Sequence, residues 1–212
     1  RPTTGRAVIM GMDCNKSSLE VRQRVGYLPG ELVLYPRFTG NKLIKLFTSI
    51  RSDQVSQEYV MYLCRQLDVD LDTPVSRLSY GNRQKIGLVL ALMPRPDLLI
   101  LDEPTVGLDP LIQRQVLACL EEAKSEGRTV FFSSHVLAEV EQICDRVVII
   151  RHGSLAAVEE VQILKDRRMQ SIRINFSEPI QPQVFSVLDG VRLQGFTDMA
   201  VNLEVIGEID AV

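Results

Sequence analysis

"LLILDEPTVGLDP", residues Leu98 to Pro110, drives an unbroken apolar run into two adjacent carboxylates, Asp102 and Glu103, and stops at Pro104. An apolar run without alternation, with Pro94 and Pro96 before it and Pro104 after, predicts a parallel-sheet strand covered on both faces. In open α/β sheets the ligand crevice lies beyond the C-terminal strand ends, so both acids stand where a ligand would. A solvated strand-to-loop junction would also carry acids. The pair nevertheless has the pattern of a magnesium-holding acid followed by a water-activating one in phosphoryl transfer.

Outward from this stretch the α/β alternation is plain. The pattern predicts strand Asp97–Leu101, helix Pro110–Glu126, strand Thr129–Phe132, helix Val136–Cys144 and strand Arg146–Ile150. Asp109 can cap the helix that starts at Pro110, and Gly127 sits at its far end. Parallel strands joined by single helices imply right-handed crossovers and one twisted sheet. "HGS", His152 to Ser154, reads as a turn into a short edge strand, with His152 a turn residue. Upstream, "GRAVIMG" (Gly5 to Gly11) and "RVGYLPG" (Arg24 to Gly30) read as short strands. Between Thr39 and Arg95, "TGNKLIKLFTSI", "SQEYVMYLCRQL" and "SYGNRQKIGLVLALM" carry apolar positions at helical spacing, a helical insert between strands. From about Lys165, "SIRINFS", "VRLQGF" and "VNLEVIG" alternate as strands do, around one weak helix, "QPQVFSVLDG". This predicts domains at 1–162, with a helical subdomain at about 39–95, and an accessory α+β module at 163–212.

Composition narrows the function classes. A net charge of −3 from 24 basic and 27 acidic residues gives no global attraction to nucleic acid or anionic lipid. Cys14, Cys64, Cys119 and Cys144 are scattered without a CxxC pair, which favours a reducing compartment and small core residues over a metal cluster. No apolar segment approaches the roughly 18 residues that span a bilayer, and the first residues lack the pattern of a signal peptide. A soluble, cytoplasmic chain is expected.

In sequence order the chain carries "VGYLPGE" (Val25–Glu31), "RLSYGNRQKIGLVLAL" (Arg77–Leu92), "LLILDE" (Leu98–Glu103), "VGLD" (Val106–Asp109) and "FFSSHVLAEVE" (Phe131–Glu141). These resemble the lid loop, signature helix, Walker B strand, D-loop and switch-histidine segment of ATP-binding-cassette (ABC) transporter ATP-binding subunits. The resemblance spans roughly Arg1 to Ala157, and "YLPGE" with the loose signature most resembles bacterial exporters of drugs or antibiotics. It implies a P-loop NTPase-like fold, ATP and Mg²⁺ as cofactors, membrane-spanning permease subunits and a second nucleotide-binding subunit as partners, and a place at the inner face of the membrane. Nucleic acid is not an expected partner.

Residue by residue, the resemblance makes Asp102 the Mg²⁺ carboxylate and Glu103 the group that polarises the attacking water. His135 would bond the γ-phosphate. Ser79, Gly81 and Asn82, at a capped helix start rich in N–H groups, would close over the γ-phosphate held by the opposite subunit. Asp109 would both cap its helix and link the two ATP sites. Gly30 stands where the lid loop usually carries Gln or Glu, with Glu31 one residue late. Tyr80 replaces a glycine of the commoner LSGGQ. No G-x-x-x-x-G-K-[ST] occurs in residues 1–212. The resemblance therefore implies that Arg1 lies inside the domain, that the phosphate loop precedes it, and that residues 1–212 alone neither bind nor hydrolyse ATP. Two other readings stay open: a soluble cassette ATPase acting on nucleic acid or ribosomes, and a non-catalytic regulator.

Overall fold

The computed structural model describes residues 3–51, 55–166, 169–178, 185 and 191–206. The chain packs as two compact units, Arg1–Leu137 and Ala138–Val212.

The first unit opens with a small antiparallel pair, β1 (Val8–Ile9) and β2 (Met12–Asp13), followed by α1 (Ser18–Arg24) and β3 (Val25–Leu28). The helical insert holds α2 (Gly40–Arg51), α3 (Gln57–Gln66), a 3-10 turn at Val75–Arg77 and α4 (Tyr80–Leu92). Then come β4 (Leu98–Asp102), α5 (Pro110–Ser125) and β5 (Thr129–Ser133). The strands form a parallel sheet in the order β3-β4-β5, with Asp102 opposite Ser133. A parallel pair needs a crossover, and both crossovers here are helical. α1 is a short helix that the sequence pattern did not signal.

Burial explains the order of packing. Along α4 every residue from Gln84 to Leu92 is buried, which marks a helix surrounded by protein and not a surface amphipath. It lies on β3 so closely that a Cβ added to Gly26 would collide with the Ala91 carbonyl oxygen and come within 2.8 Å of Pro96 Cγ. The Tyr62 hydroxyl donates to Glu122 at 3.0 Å, tying α3 to α5, and that carboxylate pushes the phenol up to about 12. Asp109 caps α5 as the sequence suggested: one carboxylate oxygen accepts from the N–H groups of Leu111 and Ile112, both at 3.1 Å, and Pro110 follows it.

Two expectations about the sheet are corrected. Among the described residues β4 is buried on one face, through Leu99 and Leu101. On the other face the register lines up Tyr27, Ile100 and Phe131, of which Tyr27 and Phe131 are exposed. With β3, β4 and β5 laid down in one direction, right-handed crossovers place their helices on one face. The second correction concerns β6 (Arg146–Arg151), expected as a further parallel strand. It pairs antiparallel with β7 (Ser154–Glu160) in a separate two-stranded sheet. The hairpin itself has a local cause, because His152 and Gly153 both take positive φ, 51° and 74°, in a two-residue turn whose twist suits one.

In the second unit, α6 (Leu137–Ile143) begins at the division, and α7 (Val161–Asp166) follows the hairpin. β8 (Met169–Asn175), β9 (Val191–Thr197) and β10 (Ala200–Ile206) form an antiparallel sheet in the order β8-β10-β9. Its apolar face gathers Ile172, Ile174, Leu193, Val201 and Leu203, as their alternation requires. The helix expected at Gln181–Gly190 lies outside the described residues, Phe185 apart.

Two substitutions test this packing through urea unfolding. Gly26→Ala, which presses a methyl group onto a fixed backbone carbonyl, is expected to cost about 1–3 kcal/mol. An unchanged midpoint would mean that α4 is not seated on β3. Asp109→Ala removes two cap bonds and is expected to cost about 0.5–2 kcal/mol; no loss would contradict the capping role.

Candidate active site

The parallel register of β4 and β5 carries Asp102 and Ser133 to the same end of the sheet. There the Ser133 hydroxyl donates to Asp102 Oδ1 at 2.5 Å and accepts from the Glu103 N–H at 2.9 Å. One side chain thus fixes the metal candidate and the backbone of the next acid. Glu103 adopts a left-handed φ of +49°, which is uncommon for a residue with a Cβ and turns its side chain off the strand direction. His135, two residues past β5, places Nδ1 at 2.9 and 3.0 Å from the two Glu103 carboxylate oxygens. Both side chains reach solvent, His135 at 70% and Glu103 at 34% relative exposure.

The segment at Gly30, expected to form the lid loop, enters the same cluster. A Cβ added to Gly30 would stand 2.7 Å from Asp102 Oδ2, so the absence of a side chain there is what keeps this carboxylate oxygen uncrowded. Glu31 is exposed. With Ser133 on Oδ1 and bare backbone beside Oδ2, Asp102 offers one hard oxygen. Among the described residues no group of three or more His, Cys, Asp or Glu is placed to hold a metal. This donor set fits Mg²⁺, which keeps several waters and takes one or two carboxylates plus substrate phosphate oxygens.

A second set lies at the start of α4. Ser79 caps the helix, its hydroxyl accepting from Asn82 N at 3.2 Å and facing Asn82 Nδ2 at 3.4 Å. The Asn82 amide is therefore engaged with the cap. Gly81 approaches the D-loop closely, since a Cβ there would lie 2.7 Å from the Gly107 carbonyl oxygen. Gly107, at φ +75°, in turn faces the Tyr80 ring, whose Cε1 would lie 2.6 Å from an added Cβ. Tyr80 thus packs on the loop leading to Asp109. Asp109 itself is held by its capping bonds.

Ser133 and Gln84 are the residues that sequence reasoning missed. Gln84 is buried in α4 and donates from Nε2 to the Glu103 carbonyl oxygen at 3.2 Å. A glutamine inside an otherwise apolar stretch of helix was the available signal. For Ser133 the signal was register, because in parallel strands of matched length the last residues face each other.

Known proteins resemble this chain in sequence and fold. A family model described as "AAA domain, putative AbiEii toxin, Type IV TA system" matches residues 41–141. The uncharacterized ABC transporter ATP-binding protein YcbN of Bacillus subtilis is 32% identical over 194 residues, covering 89% of this chain and 62% of the relative. The linearmycin resistance ATP-binding protein LnrL of the same organism is 32% identical, covering 73% of this chain and 51% of its own length. The chain therefore spans between about half and two thirds of these relatives. A solved structure titled as the ATP-binding subunit of an ABC transporter superposes with a TM-score of 0.69 at 28% identity, covering 77% of this chain and 70% of that one. Over most of its length the chain is therefore similar to ATP-binding proteins of ATP-binding-cassette transporters.

Proposed function

We propose that the chain forms most of the nucleotide-hydrolysing domain of an ABC exporter, over residues 1–162, followed by an accessory module at 163–212. The observation that carries this reading is the Glu103–His135 pair beside Asp102 at the C-terminal end of β4 and β5. A domain that only binds nucleotide has no use for a water-activating acid oriented by a histidine.

In this reading Glu103 polarises the water that attacks the γ-phosphorus, and His135 orients the Glu103 carboxylate and reports the γ-phosphate. Asp102 holds Mg²⁺, which when bound neutralises charge on the phosphate oxygens. The capped start of α4, at Ser79 and Gly81, faces the nucleotide of a second subunit, and Asp109 links the two sites. A phosphate loop outside residues 1–212 supplies the cradle, and the open sheet face at Tyr27, Ile100 and Phe131 is the natural seat for its helix. Without that loop the chain neither binds nor hydrolyses ATP.

Export of a small molecule through membrane-spanning permease subunits, contacted by the helical segment Thr39–Arg77, is supported by the resistance role in the name of LnrL. The domain then sits in the cytoplasm against the inner face of the membrane; among the described residues no helix is long and apolar enough to cross one.

The test is Glu103→Gln in the intact gene product. Hydrolysis is expected to fall by about 10²- to 10⁴-fold, the contribution of a positioned general base, while ATP binding is retained. Turnover within about twofold of the parent would overturn the assignment.

A further inference from the structure

Gln84 is 1% exposed and sits on a helix whose other buried side chains, Lys85 apart, are apolar. Lys85 has partners of its own, the carbonyl oxygen of Asp68 at 3.0 Å and its carboxylate at 3.8 Å. Gln84 Nε2 reaches across to the Glu103 carbonyl oxygen at 3.2 Å, yet its Oε1 is buried with no hydrogen-bond partner among the described residues. A half-satisfied amide in a core is a liability that a methionine or leucine would remove. What the amide supplies in return is its bond to Glu103.

That bond acts where the backbone has the strongest reason to relax. Glu103 holds a positive φ, +49°, and precedes Pro104, which disfavours the right-handed helical region and leaves extended backbone as the relaxed alternative. Strained conformations persist only where the surroundings over-determine them. Ser133 fixes the N–H of Glu103, and Gln84 fixes its carbonyl from a helix outside the loop. The Val106 N–H also bonds this carbonyl, at 3.2 Å, but belongs to the same turn and travels with it. Relaxation to extended backbone would swing the carboxylate away from His135.

We propose that Gln84 is a positioning residue for Glu103: by holding its carbonyl it keeps the residue left-handed and the carboxylate on His135. The proposal rests on Glu103 being the water-activating acid. The test substitutes Gln84→Met, which keeps length and volume and removes the donor together with the orphaned acceptor, in the intact ATPase and in its Glu103→Gln background. Expected are a kcat lowered tenfold or more, a KM for ATP within twofold of the parent, a thermal midpoint equal to or above the parent's, and no further loss in the double variant. Gln84→Leu should behave likewise. A parental kcat would overturn the proposal. So would kcat, KM and midpoint worsening together, the mark of a merely structural role, or losses that multiply in the double variant. If Glu103→Gln alone left turnover intact, the functional reading itself would fall, an outcome distinct from Gln84→Met leaving kcat unchanged while Glu103→Gln abolishes it.

Discussion

The Ser133 hydroxyl, bonded at once to the Asp102 carboxylate and the Glu103 N–H, is the contact on which the site depends. It exists because β4 and β5 run parallel in a register that ends both strands at the same height. That register is set lower down, where Leu99 and Leu101 are buried and α5 crosses between the strands from its Asp109 cap. Slipping a strand by one residue would turn each side chain to the opposite face, exposing the leucines and parting Ser133 from both acids. Core packing and site geometry are thus one constraint.

Around that contact the backbone of Glu103 is held against its own preference, and the loop after it is pressed onto α4 through Gly81, Gly107 and Tyr80. Gly30 contributes by omission. A longer residue would need the space now taken by Asp102 Oδ2. The departures from the commoner motifs are therefore accommodated locally: Tyr80 lies on a glycine that has no side chain to meet it, and Gly30 meets Asp102 with bare backbone.

Much of this was legible in the sequence because the relevant signals are short-range. The strand that ends at Asp102, the Asp109–Pro110 helix start and the His152–Gly153 turn each depend on a few neighbouring residues, and as elements each stands as read. What escaped was non-local. An apolar strand reads the same whether one face or two are covered, so the strand alone does not say that Tyr27, Ile100 and Phe131 line up in the open row. Strand periodicity does not name a pairing partner, and among the described residues β6 pairs with its hairpin neighbour β7. Ser133 becomes significant only when β4 and β5 are laid side by side, and Gln84 only when α4 is packed against the loop after β4.

The most direct measurement is the structure of the intact Glu103→Gln protein with Mg²⁺ and ATP. The account predicts a dimer with Mg²⁺ on Asp102, the γ-phosphate beside residue 103 and His135 of one subunit, and that same phosphate covered by the partner subunit's Ser79. A nucleotide bound away from the C-terminal ends of β4 and β5, or covered by Ser79 of its own chain, would contradict it.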